Sequence, residues 1–496
     1  MTIPFQQIPQ NLRVPLFFAE VNNQNANTAT FVQRALLIGN MITTGTFAGT
    51  AAPGVPIISQ GISDAKLKAG QGSILAMMTY AFRNNDSFGE LWYLPLADDP
   101  SATAATGTIA FTAAPTAAGT FYLYIAGIRV AVALTTSMTT TQIATAVAAA
   151  INAINDLPVT AAAATGTVTL TSKNKCLEAN DIDIRVNYLG VPGGETTPTG
   201  LTFTITAMAS GATNPSLTTG LANLVDMPFD FIVCPYTDTA SMNAIAAFLN
   251  DSTGRWSWQT QIYGHCFYAY RGTFAALGTF GTSMNDQHRS VLGFYDSPTP
   301  KWNIAAAYAA QVAVAVRTDP GVPFQTLILQ GVLAPPLQSR FNLSSRNTLL
   351  FDGISTFSVD QANNVHLEGT ITTYQQNSFG QPDNSYLQLN TMFQIMFVLR
   401  ALSIMVTTKY ARVKLAANGT VFAPGSAIVT PDTIRADLIA QYQQLEYQGY
   451  VQNSAAFAAG LIVQQNANNP NRVDVLYDAN LINQLDVFAL LLQFVL

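Results

Sequence analysis

The 496-residue sequence has few charged residues: 22 Lys and Arg and 28 Asp and Glu make up 10% of the chain, where soluble proteins usually have about 25%. Hydrophobic residues make up 49%, so disorder caused by low hydrophobicity is excluded. The net charge of −6, without a basic block, argues against direct nucleic-acid binding through phosphate neutralisation. Because interface centres are depleted in charge, we predict that much of the surface meets other protein.

Cysteine is scarce as well. Cys176, Cys234 and Cys266 are widely spaced and odd in number, which excludes a disulfide framework and a Cys-x-x-Cys metal site and fits a reducing compartment. The N-terminal residues lack the pattern of a secretory signal. The two most apolar stretches are 393–406, which Arg400 interrupts, and 487–496, which is half a membrane span. We therefore predict synthesis in the cytoplasm and no membrane insertion.

Only three histidines are available as physiological-pH bases: His265, His288 and His366. His265 lies in an apolar strand and is predicted to be a core residue, whereas His288 and His366 are predicted to be surface turn residues. No Gly-x-Ser-x-Gly elbow accompanies them. A Ser-His-Asp triad is recognised by geometry rather than by spacing, so an α/β hydrolase is kept only as an alternative.

Glycine-rich and acidic motifs offer no clear ligand site. Residues 189–195 and 278–286 lack the lysine with which a P-loop reaches phosphate oxygens. Asp181 and Asp183 would share one face of a strand, as hard-metal ligands sometimes do, but a solvated strand edge is the preferred interpretation. The sequence therefore predicts no cofactor and no metal.

The order of apolar runs and amphipathic segments predicts an α/β core, because strands and helices alternate. Ser73 and Asp238 are predicted to cap helices that follow them. Strands are predicted at residues 34–40, 91–96, 229–236, 262–270 and 291–295, and helices at 73–83, after 238, near 273–280 and at 302–317.

Residues 101–212 interrupt this pattern. They are rich in Ala, Thr and Gly, with period-2 runs and one amphipathic helix at about 141–154. Because the α/β pattern resumes afterwards, this segment is predicted to be an inserted β-rich domain. A last region from about 385 carries helices at 392–410 and 430–449, the second capped by Thr430.

Two apolar segments are predicted to be extended arms. Three prolines exclude a regular helix in residues 1–20, and residues 487–496 are almost wholly apolar. An exposed hydrophobic strand is an aggregation hazard unless it pairs with a neighbour, so we predict that both arms link subunits by adding a strand to another subunit's sheet. The predicted linking residues are Ile3, Phe5, Ile8, Val14, Val487, Phe488, Leu490, Leu492 and Phe494.

Lys409, Arg412 and Lys414 place three cations within six residues of a charge-poor chain. One interpretation is a solvated helix end that complements the helix dipole. The other is an electrostatic contact with a partner. Both are kept.

Ten segments, in a fixed order over nearly the whole chain, together resemble the tail sheath proteins of Mu-like contractile-tailed bacteriophages. No single segment is a chemical signature, but their order and spacing are specific. They are NLRVPLFFAEVNNQNA (11–26), QRALLIGN (33–40), GQGSILAMM (70–78), LWYLPLADD (91–99), IVCPYTD (232–238), NTLLFDGIST (347–356), TITTYQQNSFGQPDNSYL (370–387), KYARVKLAANG (409–419), IVTPDTIRADLI (428–439) and PNRVDVLYDANLINQLDVFALLLQF (470–494).

The resemblance implies a non-enzymatic structural subunit that polymerises as a helical sheath around the phage tail tube. Contraction would drive the tube through the host envelope for genome delivery. The implied partners are further copies of the chain, the tail tube protein, and the baseplate and tail terminator proteins, and Lys409, Arg412 and Lys414 would contact the tube. The implied location is the virion tail, after assembly in the host cytoplasm. Another phage tail or capsid structural protein, such as a tube subunit, is the remaining alternative.

The resemblance also implies a fold: a subtilisin-like α/β core with a mixed sheet and flanking helices, formed by residues 21–100 and 213–384. The inserted β-rich domain, 101–212, would lie on the outside. An α+β C-terminal domain, 385–486, would face the tube and accept the arms, which are residues 1–20 and 487–496.

Overall fold

The computed structural model of the chain describes residues 32–495. The helices in this range are α1 (Ile62–Ala69), α2 (Ile74–Asn85), α3 (Thr140–Asn152), α4 (Thr218–Ala222), α5 (Thr239–Leu249), α6 (Phe274–Thr282), α7 (Lys301–Thr318), α8 (Leu343–Phe351), α9 (Leu389–Tyr410), α10 (Pro431–Tyr447) and α11 (Ser454–Gly460). The strands are β1 (Ala35–Asn40), β2 (Ile57–Ile58), β3 (Leu91–Leu96), β4 (Ala104–Ala113), β5 (Gly119–Ile125), β6 (Ile128–Leu134), β7 (Val159–Ala164), β8 (Thr167–Lys175), β9 (Ile184–Val186), β10 (Thr202–Ala209), β11 (Phe231–Val233), β12 (His265–Arg271), β13 (Arg289–Phe294), β14 (Phe357–Val359), β15 (Val365–Leu367), β16 (Lys414–Leu415), β17 (Ile428–Val429), β18 (Ile462–Gln465) and β19 (Val473–Leu476).

A six-stranded sheet with the order β13-β12-β11-β1-β3-β2 forms the centre of the fold. Its first five strands are parallel, and β2 runs antiparallel to β3 at one edge. All six residues of β1 are buried, as expected for a parallel strand that is covered on both faces. Because β1 pairs with β11, segments on either side of residues 104–209 build one sheet.

Helices cover both faces of this sheet. On one face α2 and α7 pack against it, with Trp302 and Tyr308 fully buried. On the other face α5 and α6 contribute Ile245 and Leu277 to a second apolar cluster. The predicted mixed α/β architecture with flanking helices is confirmed at this level.

Three predicted helix starts are confirmed by their caps. The side chain of Ser73 accepts a hydrogen bond from Ala76 N at 3.2 Å, and Asp238 accepts one from Ser241 N at 3.0 Å. Thr430 does the same for Thr433 N at 3.3 Å. Each cap satisfies a backbone donor that has no partner inside its helix.

Residues 104–209 form two antiparallel sheets, ordered β10-β4-β8-β7 and β6-β5-β9. Helix α3 covers them with the apolar stripe that includes Ile143, Val147 and Ile151. The apolar run at 121–132 is a hairpin, because the chain turns at Ala126 and Gly127, whose φ angles are 52° and 78°. Two successive positive φ values match the twist of tight hairpin strands.

The C-terminal part is built around α9, α10 and α11. Val398, Leu438 and Leu445 lie in its apolar cluster, and the rings of Tyr442 and Phe457 stack with centroids 3.8 Å apart. Strands β18 and β19 form a hairpin beside these helices.

Helix α9 is, among the described residues, the one helix long and apolar enough to cross a membrane by length and composition. Core helices of soluble proteins can be equally long and apolar. The first half of α9 is such a core helix, since Phe393 packs against Phe231 and Phe324. Arg400 pairs with the buried Asp230, which directly precedes β11. The positive charge inside this apolar helix therefore has a carboxylate partner beside the central sheet.

Candidate functional site

Residues 486–495 leave the folded body without helix or strand. Their large apolar side chains are 76–99% exposed. Burying a single Leu or Phe side chain would be favourable by about 1.5–3 kcal/mol. The predicted arm residues Ile3, Phe5, Ile8 and Val14 lie outside the described residues. The exposed ones are Val487, Phe488, Leu490, Leu491, Leu492, Phe494 and Val495.

The hairpin of β18 and β19 is open on both sides. The two strands pair from Ile462 opposite Leu476 to Gln465 opposite Val473, and within residues 32–495 neither joins a third strand. Ile462, Val475 and Leu476 are exposed. Open edges with apolar side chains are templates for a further strand.

The three predicted contact cations are exposed but differ in their surroundings. Lys409 Nζ lies 3.1 Å from Asp437 Oδ1, and Tyr410 donates a hydrogen bond to the same carboxylate. In the part of the chain that the structure describes, Arg412 and Lys414 have no such ion pair. Lys409 therefore stabilises the end of α9 against α10, and the other two cations face solvent.

His265 is a core residue, as predicted. Its Nε2 lies 2.9 Å from Ser290 Oγ, and both residues are fully buried. The hydroxyl of Ser290 donates to Ile371 O, so the imidazole is the donor of the pair, and Nδ1 has no hydrogen-bond partner among the described residues. A triad needs an accessible nucleophile and a carboxylate that orients the histidine. This Ser-His pair has neither.

The prediction for His288 was wrong, and the prediction for His366 was wrong about the turn. His288 is buried, with its ring against Trp256 and its Nε2 3.0 Å from Asp251 Oδ1. His366 lies in strand β15, where it contacts Thr326 O and Asp360. Polar neighbours in sequence suggested turns, but contacts with Trp256 and Asp251 bury His288, and pairing with β14 places His366 in a strand.

The solvated-edge interpretation of Asp181 and Asp183 was also wrong. Asp181 lies in a 3₁₀ turn and pairs with Arg271, and Asp183 pairs with Arg185. Close by, buried Glu178 pairs with Lys301, a contact that sequence reasoning missed. The pairs Asp181–Arg271 and Glu178–Lys301 join residues 177–185 to the central part of the fold, and their partners are too far apart in sequence to be found from local pattern.

No group of three or more His, Cys, Asp or Glu within residues 32–495 is arranged to hold a metal ion. The cysteines Cys176, Cys234 and Cys266 are buried and free. Burial raises the pKa of the Cys266 thiol to about 12, so this thiol stays protonated and unreactive at neutral pH.

Two family models match the chain in sequence order. The model of the phage tail sheath protein central domain matches residues 210–373, and that of the phage tail sheath C-terminal domain matches residues 381–495. The tail sheath protein of the Mu-like prophage FluMu of Haemophilus influenzae is 39% identical over 498 residues, which is 100% of both chains.

Solved structures of sheath tail proteins are also similar. One from Desulfitobacterium hafniense has a TM-score of 0.48 and 13% identity, over 95% of this chain and 97% of that one. Another from Listeria innocua has a TM-score of 0.46 and 12% identity, over 92% and 94%.

A sheath central domain followed by a sheath C-terminal domain defines the class of contractile-tail structural proteins. The chain belongs to the tail sheath proteins of Mu-like phages. Its function is that of a structural subunit of a contractile tail sheath.

Proposed function

We propose that copies of this subunit stack as a helical sheath around the phage tail tube, and that contraction drives the tube through the host envelope for genome delivery. The row of exposed apolar side chains at 487–495 carries this proposal. An apolar segment of this size is normally covered by another surface. If each copy covers the arm of the next through the same head-to-tail contact, and repetition of that contact does not close a ring, the product is a helical filament.

The linkage that we propose is strand addition to the hairpin of β18 and β19. One open edge would receive the arm 487–496 of a neighbouring copy and the other the arm 1–20. If each arm makes about five net hydrogen bonds at about 1 kcal/mol each, the linkage contributes about 5 kcal/mol before apolar burial is added. The arms would then keep copies tethered while their bodies change position.

The C-terminal part, residues 385–486, would face the tube. Arg412 and Lys414 are exposed cations without an ion pair in the described residues, so they are free to meet carboxylates of the tail tube protein. The inserted domain, 101–212, would lie outside the subtilisin-like core, 21–100 and 213–384. Baseplate and tail terminator proteins would hold the two ends of the stack in the virion tail, which is assembled in the host cytoplasm.

Negative-stain electron microscopy of the purified chain, beside a variant truncated after Asp486, tests the linkage. We expect ridged, hollow tubes from the full chain and none from the truncated one, because the truncation removes the arm and leaves the folded body intact. The matched control is Phe88→Asp, which changes a fully exposed aromatic residue in the loop between α2 and β3. Tubes from the truncated chain would contradict the arm linkage, and loss of tubes with Phe88→Asp would show that the assay is not specific.

A further inference from the structure

A groove of about 780 Å³ lies where the C-terminal arm leaves the body. Its floor and walls include Phe324, Leu350, Phe351 and Leu387, and Asp486 and Val487 line one end. Phe351 is 77% exposed, so an apolar occupant would cover surface that now faces water. Much of this groove is formed by residues 370–387, a segment that the resemblance singles out and that the proposed function does not use.

The charged residues that line the groove are all acidic: Glu368, Asp383 and Asp486. Glu368 is paired with Arg346. Asp383 accepts a hydrogen bond from Tyr374 and Asp486 one from Gln388, but within residues 32–495 neither carboxylate has a cationic partner. The groove therefore suits an apolar segment that carries one positive charge.

We propose that this groove holds residues 12–18 of the same chain, with Arg13 beside Asp383 and Asp486. The segment reads Leu-Arg-Val-Pro-Leu-Phe-Phe, and Arg13 is the only Lys or Arg among residues 1–31. It therefore offers one cation among large apolar side chains, which matches the groove in both respects. Proline is unfavourable inside a helix, so the segment would enter the open groove in an extended form.

The described chain begins close enough for the segment to reach. Gln33 O accepts a hydrogen bond from Arg317, and Pro320, three residues further on, accepts one from Asn390 at the groove. Together these contacts place the groove on the order of 20 Å from Gln33. The residues from Phe18 to Val32 span up to about 45 Å when extended.

With residues 12–18 in the groove, both arms would leave the folded body from one surface, because the arm 487–496 already begins at this groove. Residues 1–11, with Ile3, Phe5 and Ile8, would remain to reach a neighbouring copy, and Val14 would serve the groove instead. This inference narrows the linking part of the N-terminal arm in the proposed function from residues 1–20 to residues 1–11, and it is tested on the unassembled subunit. Its failure and the failure of sheath assembly are therefore separate results.

The experiment joins Leu16→Cys to Phe351→Cys with a short bismaleimide in the dilute, full-length chain, and mass spectrometry measures the linked fraction over time. The native cysteines are buried. The control is Leu16→Cys with Phe88→Cys: Phe88 is fully exposed and lies near Arg317 through Asp86 and Gly89, so it is nearer to Gln33 than the groove is. We expect the groove pair to link at least about tenfold faster than the control pair, as effective concentration dictates for a docked segment.

Arg13→Glu in the groove pair should remove most of that difference, whereas Arg13→Lys should keep it. Equal rates for the two cysteine pairs would overturn the proposal. So would an Arg13→Glu variant that links as fast as the parent. Linkage only between different molecules, detected by mixing chains that carry one introduced cysteine each, would assign the segment to a neighbouring copy and overturn docking within one chain.

Discussion

Glu178 and Lys301 form an ion pair in which the carboxylate is 1% exposed and the ammonium side chain 13%. Glu178 lies in the 3₁₀ turn that follows β8, and Lys301 opens α7 of the central fold. Lys301 Nζ also donates to Thr237 Oγ1 at 2.9 Å. The pair therefore joins the inserted β-rich segment to the central helix at a point that water hardly reaches.

Replacing Lys301 by Met is expected to lower the free energy of unfolding by about 3–5 kcal/mol, because it leaves the buried carboxylate without its partner. The double variant Lys301→Met with Glu178→Leu should recover most of that loss, since no buried charge remains. Urea denaturation of both variants measures the difference. A single variant as stable as the parent would show that Glu178 is protonated or hydrated in the folded chain.

Stability should fall as the pH is lowered below about 6.5, because of His265. Burial, followed by the nearby His288 and Arg289, holds the pKa of His265 well below its ordinary value. As the pH falls, the unfolded chain therefore protonates His265 before the folded chain does. The contribution of neutral His265 to stability is complete above the pKa of His265 in the unfolded chain and is lost as the pH falls towards its pKa in the folded chain. The slope is up to about 1.4 kcal/mol per pH unit. Denaturation midpoints at pH 7.5 and 5.5 check this.

His366 gives the opposite sign and serves as the control. The hydrogen bond of its ring to Thr326 O, followed by the one to Asp360, raises the pKa of His366. Its contribution to stability is therefore complete below pH 6.5 and is lost at higher pH. His265→Gln should flatten the pH dependence, and His366→Gln should steepen it. A steeper profile with His265→Gln would contradict the assignment.

Charge reversal at Arg412 and Lys414 is expected to weaken assembly on the tail tube and to leave the folded subunit unchanged, because both side chains are exposed. The double variant Arg412→Glu with Lys414→Glu should need lower salt to form tube-filled sheaths, as screening governs such contacts. Co-sedimentation with tubes over a salt series measures this. Thr136→Glu, an added charge at an exposed position of the inserted segment, is the control and should match the parent.

Phe393→Ala should cost about 3–5 kcal/mol of stability. The ring is buried between Phe231, Phe267 and Phe324, so its removal leaves a cavity that rigid neighbours cannot fill. Urea denaturation measures the loss, with the exposed Phe88→Ala as control. A loss below about 1 kcal/mol would mean that α9 repacks onto the sheet.

Local chemistry predicted the fold well where a single segment decides the outcome. Ser73, Asp238 and Thr430 cap helices because a side-chain oxygen three residues before a free backbone donor is a local arrangement. The buried strand β1 was visible as a continuous apolar run. The hairpin turn at Ala126 and Gly127 lies inside an apolar run, where the glycine is the one local signal of a turn.

Contacts between distant segments could not be predicted in this way. His288 is buried by Trp256 and paired with Asp251, and Glu178 owes its partner to the packing of a later helix. The groove beside Asp486 joins residues from α8 to the C-terminal arm. Each of these contacts depends on how distant segments pack in the folded chain, and a short polar pattern carries no information about that packing.

Helix α9 is shared by two apolar clusters: Met396 belongs to that of the central sheet and Val398 to that of the C-terminal part. Its 22 residues form a continuous rod about 33 Å long. Leu389 anchors its first half in the central cluster, and Met405 packs its second half against the C-terminal cluster, so the packing of both halves resists bending of the helix. We therefore expect the central sheet and the C-terminal part of one subunit to move together, with α9 as the rigid connection between them.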